Sequence, residues 1–323
     1  MLNVNNAYRL KTIGLLKDHK DKVNSVSWSP DGKLIATTSD DARTIVWDTM
    51  STSAQPYPIV ATINLNSDSA AKTASWSTDG STLAIGGDDG KLRLWSRATL
   101  KTASMARFRT GPVHALSWRP DGKTIASADH SGITLWNVAH RAVSSTLHGH
   151  RGAVQAVAFH PDGAALASAG LDEFVLVSDI RSDAIAARLD APRSLSAGAA
   201  WRPDGGMLAT LSTMGTVRLW LMPEGRLLAE RRPATAATDK AMLGPAGLGF
   251  SPDGRLLVAP RGEGVWVMDV EMRRVVAVLR GHGGRVRAAA FSPDGTMVAS
   301  ASEDGTARVW GLGDREEVRS SLC

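Results

Sequence analysis

Cysteine, aromatic residues and long apolar runs are scarce in this chain of 323 residues. The single cysteine, Cys323, cannot form an internal disulfide, so nothing in the sequence requires an oxidising compartment. No apolar run approaches the roughly 20 residues of a membrane-spanning helix, and the first residues lack the apolar centre of a secretion signal. We therefore expect a soluble, cytoplasmic protein without a membrane partner.

Enzyme signatures and dense basic runs are absent as well. The sequence contains no Walker loop, no His-Glu-x-x-His motif and no Gly-x-Ser-x-Gly motif. These absences favour a non-catalytic protein without a cofactor. The charge balance is only mildly basic, with 37 Lys and Arg against 32 Asp and Glu, so the sequence does not favour nucleic acid as the partner.

What the chain does contain is a repeat. An Asp-Gly pair occurs seven times, at intervals of between 41 and 49 residues, at Asp31, Asp79, Asp121, Asp162, Asp204, Asp253 and Asp294. An aromatic residue stands three positions before each of them (Trp28, Trp76, Trp118, Phe159, Trp201, Phe250 and Phe291). A second position, 15 or 16 residues after each Asp, holds Trp47, Trp95, Trp136, Ser178, Trp220, Met268 and Trp310. A fixed period of this length indicates a repeat architecture.

Within each unit the pattern is that of short strands. Val23 to Trp28 favours β-branched, small and aromatic residues, and a Ser-Pro-Asp-Gly turn follows it at Ser29. Two further strands, separated by an acidic turn, end near the second aromatic position, and a fourth run precedes the next unit. Four strands in each of seven units predict an all-β fold, a seven-bladed β-propeller of four-stranded antiparallel blades.

These motifs resemble the WD-repeat β-propeller family over nearly the whole chain, although only Trp47-Asp48 is a literal Trp-Asp pair. The resemblance implies one propeller over residues 1–323 with a central channel. Its approximate repeat units are residues 18–65, 66–107, 108–148, 149–190, 191–231, 239–280 and 281–323.

The resemblance also implies how the ring closes. In this family the N-terminal segment usually supplies the outer strand of the last blade, and residues 8–16 fit that role. Val318 to Leu322 has the spacing of an outer strand too, so two segments compete for one place. We favour the N-terminal strand because it also ties the two ends of the chain together.

In this family a His, a Ser or Thr, an Asp and a Trp form a hydrogen-bonded network within a blade. The resemblance implies complete structural networks in blade 1 (His19, Thr37, Asp41 and Trp47) and blade 7 (His282, Ser300, Asp304 and Trp310). Blade 4 retains His150, Ser168 and Asp172 but has Ser178 in place of the tryptophan.

The other blades depart further from the pattern. Blade 2 retains Asp89 and Trp95, and blade 3 is one residue short, which could move Asp129 out of register. Blade 6 lacks the network and is expected to be the least regular, with Pro260 and the two residues after it in its second turn.

Two groups of residues invite a catalytic or metal-binding interpretation. Histidines are concentrated at His140, His148, His150 and His160, and acidic doublets occur at Asp40-Asp41 and Asp88-Asp89. In the propeller the histidines fall on different strands and turns, and the doublets read as turn residues instead of carboxylate pairs for acid–base catalysis. We predict no metal site.

The resemblance implies that partners bind on the narrower top face of the ring. The matching positions are Lys22, Asn24, Asp40, Lys72, Asp88, His114, Gln155, Leu171, Arg285, Arg287 and Glu303. Blades 7, 1 and 2 give this face a charged arc and the other blades a neutral one, which suits a protein or peptide. We expect an interaction scaffold or sensor platform that is monomeric on its own. Two alternatives are a polyanion or nucleic-acid binder using the basic arc, and a small-ligand binder or enzyme using the channel.

Overall fold

The computed structural model describes residues 10–51, 56–65, 69–107, 111–191, 195–232 and 247–312. These residues form seven antiparallel sheets of four strands each, and the described ranges contain no helix. The prediction of a seven-bladed β-propeller is confirmed. None of the described residues belongs to a helix that is long and apolar enough to cross a membrane.

The strands follow one another in chain order around the ring. Blade 1 contains β2 (Val23–Trp28), β3 (Leu34–Ser39), β4 (Arg43–Asp48) and β5 (Ile59–Asn64). Blade 2 contains β6 (Ala71–Trp76), β7 (Thr82–Gly87), β8 (Lys91–Ser96) and β9 (Thr102–Arg107). Blade 3 contains β10 (Ala115–Trp118), β11 (Thr124–Ala128), β12 (Ile133–Asn137) and β13 (Ala142–Leu147). Blade 4 contains β14 (Val154–Phe159), β15 (Ala165–Gly170), β16 (Phe174–Asp179) and β17 (Ala184–Asp190).

The second half of the ring repeats this order. Blade 5 contains β18 (Ser196–Trp201), β19 (Met207–Ser212), β20 (Val217–Leu221) and β21 (Arg226–Arg231). Blade 6 contains β22 (Gly249–Phe250), β23 (Leu256–Arg261), β24 (Gly264–Asp269) and β25 (Arg274–Arg280). Blade 7 contains β26 (Val286–Phe291), β27 (Met297–Ser302) and β28 (Ala307–Leu312), and its outer strand is β1 (Leu10–Leu16).

The ring is closed by the N-terminal strand, as predicted. Strand β1 runs antiparallel to β28, with Lys11 opposite Gly311 and Leu16 opposite Ala307. The pairing shifts once, between Thr12 and Gly14. The competing segment at residues 318–322 and the first two residues of the predicted closing strand lie outside the described residues.

The first turn of each blade explains why Asp-Gly recurs. In blade 1, the hydroxyl of Ser29 donates to Oδ1 of Asp31 at 2.6 Å, and the amide of Lys33 donates to the same oxygen at 3.1 Å. Gly32 has a φ of 70°, a left-handed conformation that side chains disfavour. Its amide donates to the carbonyl of Ser29 at 2.9 Å. The turn is therefore fixed by its own residues, and for this reason it can be recognised in the sequence.

Neighbouring turns also touch around the ring. A Cβ added at Gly80 would lie 3.4 Å from Cδ of Pro30, and one at Gly32 would lie 3.7 Å from Cδ of Pro293. The second of these contacts joins blades 1 and 7. The turn sequence thus serves both the hairpin and the blade-to-blade seam.

The core lies between adjacent blades. The fourth residue after each repeat Asp is completely buried in all seven blades: Ile35, Leu83, Ile125, Leu166, Leu208, Leu257 and Val298. Three of the tryptophans that stand three positions before a repeat Asp add a hydrogen bond across a seam, because their indole N–H groups donate to the preceding blade. Trp118 donates to the carbonyl of Ser75 at 2.9 Å, Trp201 to Ala158 at 3.0 Å, and Trp28 to Ala290 at 3.3 Å.

Blade 6 departs most from the regular pattern among the described residues. Its innermost strand, β22, has only two residues, where most blades have six. One detail of the prediction is wrong, because Pro260 and Arg261 belong to β23 and not to a turn. Pro260 is paired in register with Val265, and the chain reverses only at residues 262 and 263.

Candidate functional site

The first strand of each blade begins at the same end of the ring as the turn between its second and third strands, because the strands are antiparallel. A repeated backbone hydrogen bond joins these two places. The amide of Asp40 donates to the carbonyl of Lys22 at 3.0 Å. Equivalent bonds link Asp88 to Ala70, Leu171 to Ala153, Thr213 to Leu195, and Glu303 to Arg285. We call this end the top face, and the predicted partner-binding residues of blades 1, 2, 4 and 7 flank it.

Blades 1 and 2 are joined on the top face by a network of charges. The ammonium group of Lys72 lies 2.9 Å from Oδ1 of Asp40 and 3.2 Å from Oδ2 of Asp88. Nδ2 of Asn24 donates to Oδ1 of Asp40 at 2.8 Å and to the carbonyl of Ala71 at 2.9 Å. The contacts of Lys72 with Asp40 and of Asn24 with Ala71 join blades 1 and 2, whereas Lys72 and Asp88 both belong to blade 2.

The charge on Asp40 is held by its neighbours. Burial opposes ionisation of its carboxyl group, but hydrogen bonds from Asn24 and Lys72 and the charges of Lys72 and Arg287 lower the pKa of Asp40 below its ordinary value. Arg287 belongs to blade 7, where its guanidinium lies 2.9 Å from Oε1 of Glu303. Cationic and anionic side chains therefore alternate along the top face from blade 7 to blade 2.

The charged arc consists of Lys22, Asp40, Lys72, Asp88, Arg285, Arg287 and Glu303. Lys22 is exposed, and the other six are partly exposed. Such partly exposed pairs add little stability but set a fixed pattern of potential on the surface.

Two predicted contact residues are placed differently from expectation. Asn24 is 5% exposed and Gln155 is 3% exposed, so neither offers a partner much surface. Both line a small cavity in the central channel together with Lys72, His114 and Leu116. Their side chains build the channel wall, and Leu171 and His114 remain partly exposed on the neutral side of the top face.

The channel cavity has a volume of about 160 Å³. Pockets that enclose small organic ligands usually have volumes of about 300 to 1,000 Å³. The geometry of this cavity therefore does not favour the small-ligand or enzyme alternative.

A larger cavity, of about 670 Å³, lies between blades 5 and 6. Its walls include the first turns of both blades, at Asp204 and Asp253, and its apolar side chains include Met207 and Leu228. These turns lie at the end of the ring opposite the top face. No sequence motif indicates this cavity, because it arises from the packing of two blades.

The four-residue structural networks lie inside the blades. In blade 7 the indole N–H of Trp310 donates to Oγ of Ser300 at 2.8 Å, and that Oγ lies 2.8 Å from Nε2 of His282. Nδ1 of His282 lies 2.8 Å from Oδ2 of Asp304. A neutral imidazole with its hydrogen on Nδ1 completes this chain of donors and acceptors.

Blade 1 repeats the arrangement of blade 7, with corresponding distances of 2.9 Å (Trp47 to Thr37), 2.8 Å (His19 to Thr37) and 3.0 Å (His19 to Asp41). Burial lowers the pKa of both His19 and His282 below 6.5, against the opposing effect of the adjacent aspartate. The imidazoles are therefore neutral near pH 7. In blade 4, His150 contacts Ser168 and Asp172 in the same way, and a cavity of about 50 Å³ lies beside Ser178.

The histidines that are dense in sequence have separate side-chain partners. His150 belongs to the blade 4 network, His160 lies 2.6 Å from Asp162, and His148 lies 3.3 Å from the hydroxyl of Thr146. No three or more His, Cys, Asp or Glu side chains are grouped to hold a metal ion within the described ranges. A different pair, His114 and His130, is in contact instead, with Nε2 and Nδ1 separated by 3.2 Å.

Sequence reasoning missed Arg93, which replaces the network histidine in blade 2. Both of its terminal nitrogens bind the carboxylate of Asp89, and Arg93 is 7% exposed. Asp129 of blade 3 is also accounted for, because its carboxylate accepts the amides of Ser131 at 2.6 Å and Gly132 at 3.2 Å and so caps its own turn.

Seven four-stranded blades around a channel, with repeated internal networks, define a β-propeller repeat protein. The family described as WD domain, G-beta repeat, matches residues 10–48, 60–96, 103–137, 142–179 and 273–311, which is more than half of the chain. The chain belongs to the WD-repeat family.

Individual relatives are similar over shorter stretches. Over 109 residues the chain is 38% identical to guanine nucleotide-binding protein subunit beta-5b of Danio rerio, covering 33% of this chain and 26% of the relative. Over 113 residues it is 36% identical to guanine nucleotide-binding protein subunit beta-2 of Caenorhabditis elegans, covering 34% and 29%. Over 135 residues it is 32% identical to WD repeat-containing protein VIP3 of Arabidopsis thaliana, covering 39% and 41%.

The matched stretches span less than half of the length of each of these relatives. The family and these similarities together suggest a protein-interaction scaffold.

Proposed function

We propose that this protein is a non-catalytic interaction platform that binds a protein or peptide on the top face, with the charged arc as the principal contact. One observation carries the proposal. Cations and carboxylates of blades 7, 1 and 2 alternate around the rim and are held in place by one another, as Lys72 is by Asp40 and Asp88. A rim with both signs of charge is complementary to a partner that also carries both signs, which is characteristic of proteins.

The same arrangement argues against a polyanion. Lys72 lies between two carboxylates, and Arg287 is paired with Glu303. A phosphate backbone would have to compete with these internal partners and would be repelled by the carboxylates that remain. Binding to nucleic acid draws its affinity from cations that can neutralise phosphates.

The experiment compares two double variants with the same change in charge. Arg285→Glu with Arg287→Glu reverses two positions of the charged arc, whereas Arg181→Glu with Arg226→Glu reverses two exposed positions at the opposite end of the ring. Tagged wild-type protein and both variants are used to capture partners from the native cell, and the captured proteins are quantified by mass spectrometry. We expect partners that the wild type and the Arg181/Arg226 variant retain and the Arg285/Arg287 variant loses.

Equal capture by both variants would move the interaction off the charged arc. Circular dichroism of the two variants establishes that each remains folded. Binding of the purified protein to single-stranded DNA at increasing salt tests the polyanion alternative. Tight binding that weakens steeply with salt and is abolished only by the Arg285/Arg287 change would favour that alternative over the proposal.

A further inference from the structure

The imidazoles of His114 and His130 face each other at the top of blade 3. Nε2 of His114 lies 3.2 Å from Nδ1 of His130, and the ring centroids are 4.7 Å apart with the planes tilted by 53°. His130 is exposed and His114 is partly exposed, so the pair can be reached from solvent. The two residues are 16 positions apart and come together because the turn after β11 folds back over the start of β10.

The separation of the two nitrogens matches that of two ligands on one metal ion. Imidazole nitrogens bind Zn²⁺ at about 2.0 to 2.1 Å, so two of them on a tetrahedral ion lie about 3.3 to 3.4 Å apart. An increase of about 0.2 Å in the nitrogen–nitrogen distance, with both rings turned so that their lone pairs meet at the ion, converts the observed contact into such a pair.

The surrounding charges are compatible with a bound cation. The carboxylates of Asp88 and Asp129 act on His114 as nearby negative charges, while Lys72 opposes them.

We propose that His114 and His130 form a binding site for a divalent transition-metal ion such as Zn²⁺ on the top face of the propeller. The ion binds Nε2 of His114 and Nδ1 of His130. In the hydrogen-bonded pair one of these two nitrogens carries a hydrogen, so metal binding requires that ring to change tautomer and carry its hydrogen on the other nitrogen. Two coordination bonds then replace the hydrogen bond, and no proton is lost overall. Water completes the coordination shell, because the chain supplies two ligands and structural zinc requires four.

Isothermal titration calorimetry with ZnCl₂ tests the site. The full chain is used after removal of any affinity tag, in a Cys323→Ser background so that the thiol does not contribute. We expect one saturable zinc ion per chain, and an affinity that falls about tenfold or more in His130→Gln. Changes to outer-shell partners of metal sites already cost about tenfold to a hundredfold in affinity, and loss of a ligand should cost at least as much.

His148→Gln is the matched control, because His148 is also exposed and also has a neighbouring side-chain partner. This variant should bind zinc as the wild type does. Zinc binding that is equally strong in His130→Gln, or the absence of saturable binding by the wild type, would overturn the proposal. The exposed position of His130 means that His130→Gln should keep the wild-type melting temperature without metal, and a stabilising shift on adding zinc should appear only where His130 is intact.

Discussion

In blade 7 the carboxylate of Asp304 is bound by Nδ1 of the buried His282, whereas in blade 2 the equivalent carboxylate of Asp89 is bound by both terminal nitrogens of Arg93. The histidine comes from the segment before the first strand, and the arginine comes from the third strand, β8. Two different chain segments thus supply the hydrogen-bond donors for equivalent carboxylates. The comparison teaches that the requirement is a donor for a partly buried carboxylate, and that the motif residue is only one way to meet it.

Asp304 also binds groups other than the histidine. Oxygens of Asp304 also accept the amide of Gly283 at 2.9 Å and the hydroxyl of Thr306 at 2.7 Å. Burial opposes ionisation of Asp304, yet these bonds and His282 lower its pKa to about 2. The side chain of Asp304 therefore joins the segment that enters blade 7 to the turn after β27.

The largest effect is expected from Asp304→Ala. The change removes the partner of a completely buried imidazole and leaves the amide of Gly283 and the hydroxyl of Thr306 without their acceptor. We expect a loss of about 3 kcal/mol in the free energy of unfolding, measured by urea denaturation. Asp121→Ala is the control, since Asp121 accepts the amide of Lys123 in an exposed turn and should cost far less.

A smaller effect is expected in blade 2 from Arg93→Met, about 1 to 3 kcal/mol, because Asp89 keeps Lys91 at 3.8 Å as a second cation. The double variant Arg93→Met with Asp89→Leu should recover most of that loss, since an apolar pair leaves no buried charge unpaired. The measurement is again urea denaturation. If the double variant is no more stable than Arg93→Met, the ion pair itself stabilises the blade, and its role is not only to avoid an unpaired buried charge.

The smallest effect is a difference in pH dependence. The pKa values of His282 and His19 are lowered by burial, so the unfolded chain binds protons below about pH 6.5 that the folded chain resists. The contribution of these neutral imidazoles to the free energy of unfolding should therefore be complete above about pH 6.5, and the free energy of unfolding should decrease as the pH falls below that value. His282→Gln should reduce this fall between pH 6.5 and 5.5, and Arg93→Met should leave it unchanged because guanidinium does not titrate there. Equal slopes in all three proteins would contradict the assignment of a neutral His282.

Much of the fold could be predicted because its turns are local. Ser29 and Asp31 fix their own hairpin, and seven repetitions of that chemistry reveal both the blade count and the strand order. The closing role of the N-terminal strand was accessible through the family resemblance. The prediction was wrong at Pro260, because proline is typical of turns and this one lies within β23.

The candidate site was less predictable, for a physical reason. The contact of His114 with His130 depends on how a shortened turn folds over its own blade, and Arg93 acts from a strand position that carries no motif. The cavity between blades 5 and 6 depends on the packing of two units. The burial of Asn24 and Gln155 likewise follows from the width of the channel, which no single repeat specifies.

The pairing of β1 with β28 joins two strands that are synthesised far apart in time. Of the described strands, β1 comes first in the chain and completes the sheet whose other members come last, with nearly 300 residues between Leu16 and Ala307. At a translation rate of about 5 to 20 residues per second, β1 waits roughly 15 to 60 s for its partner. During that interval Leu16, which is 1% exposed in the closed ring, belongs to a strand without a sheet. On the ribosome, Leu16 stays without its final packing partners until β28 is made, and the ring becomes complete only when these two strands pair.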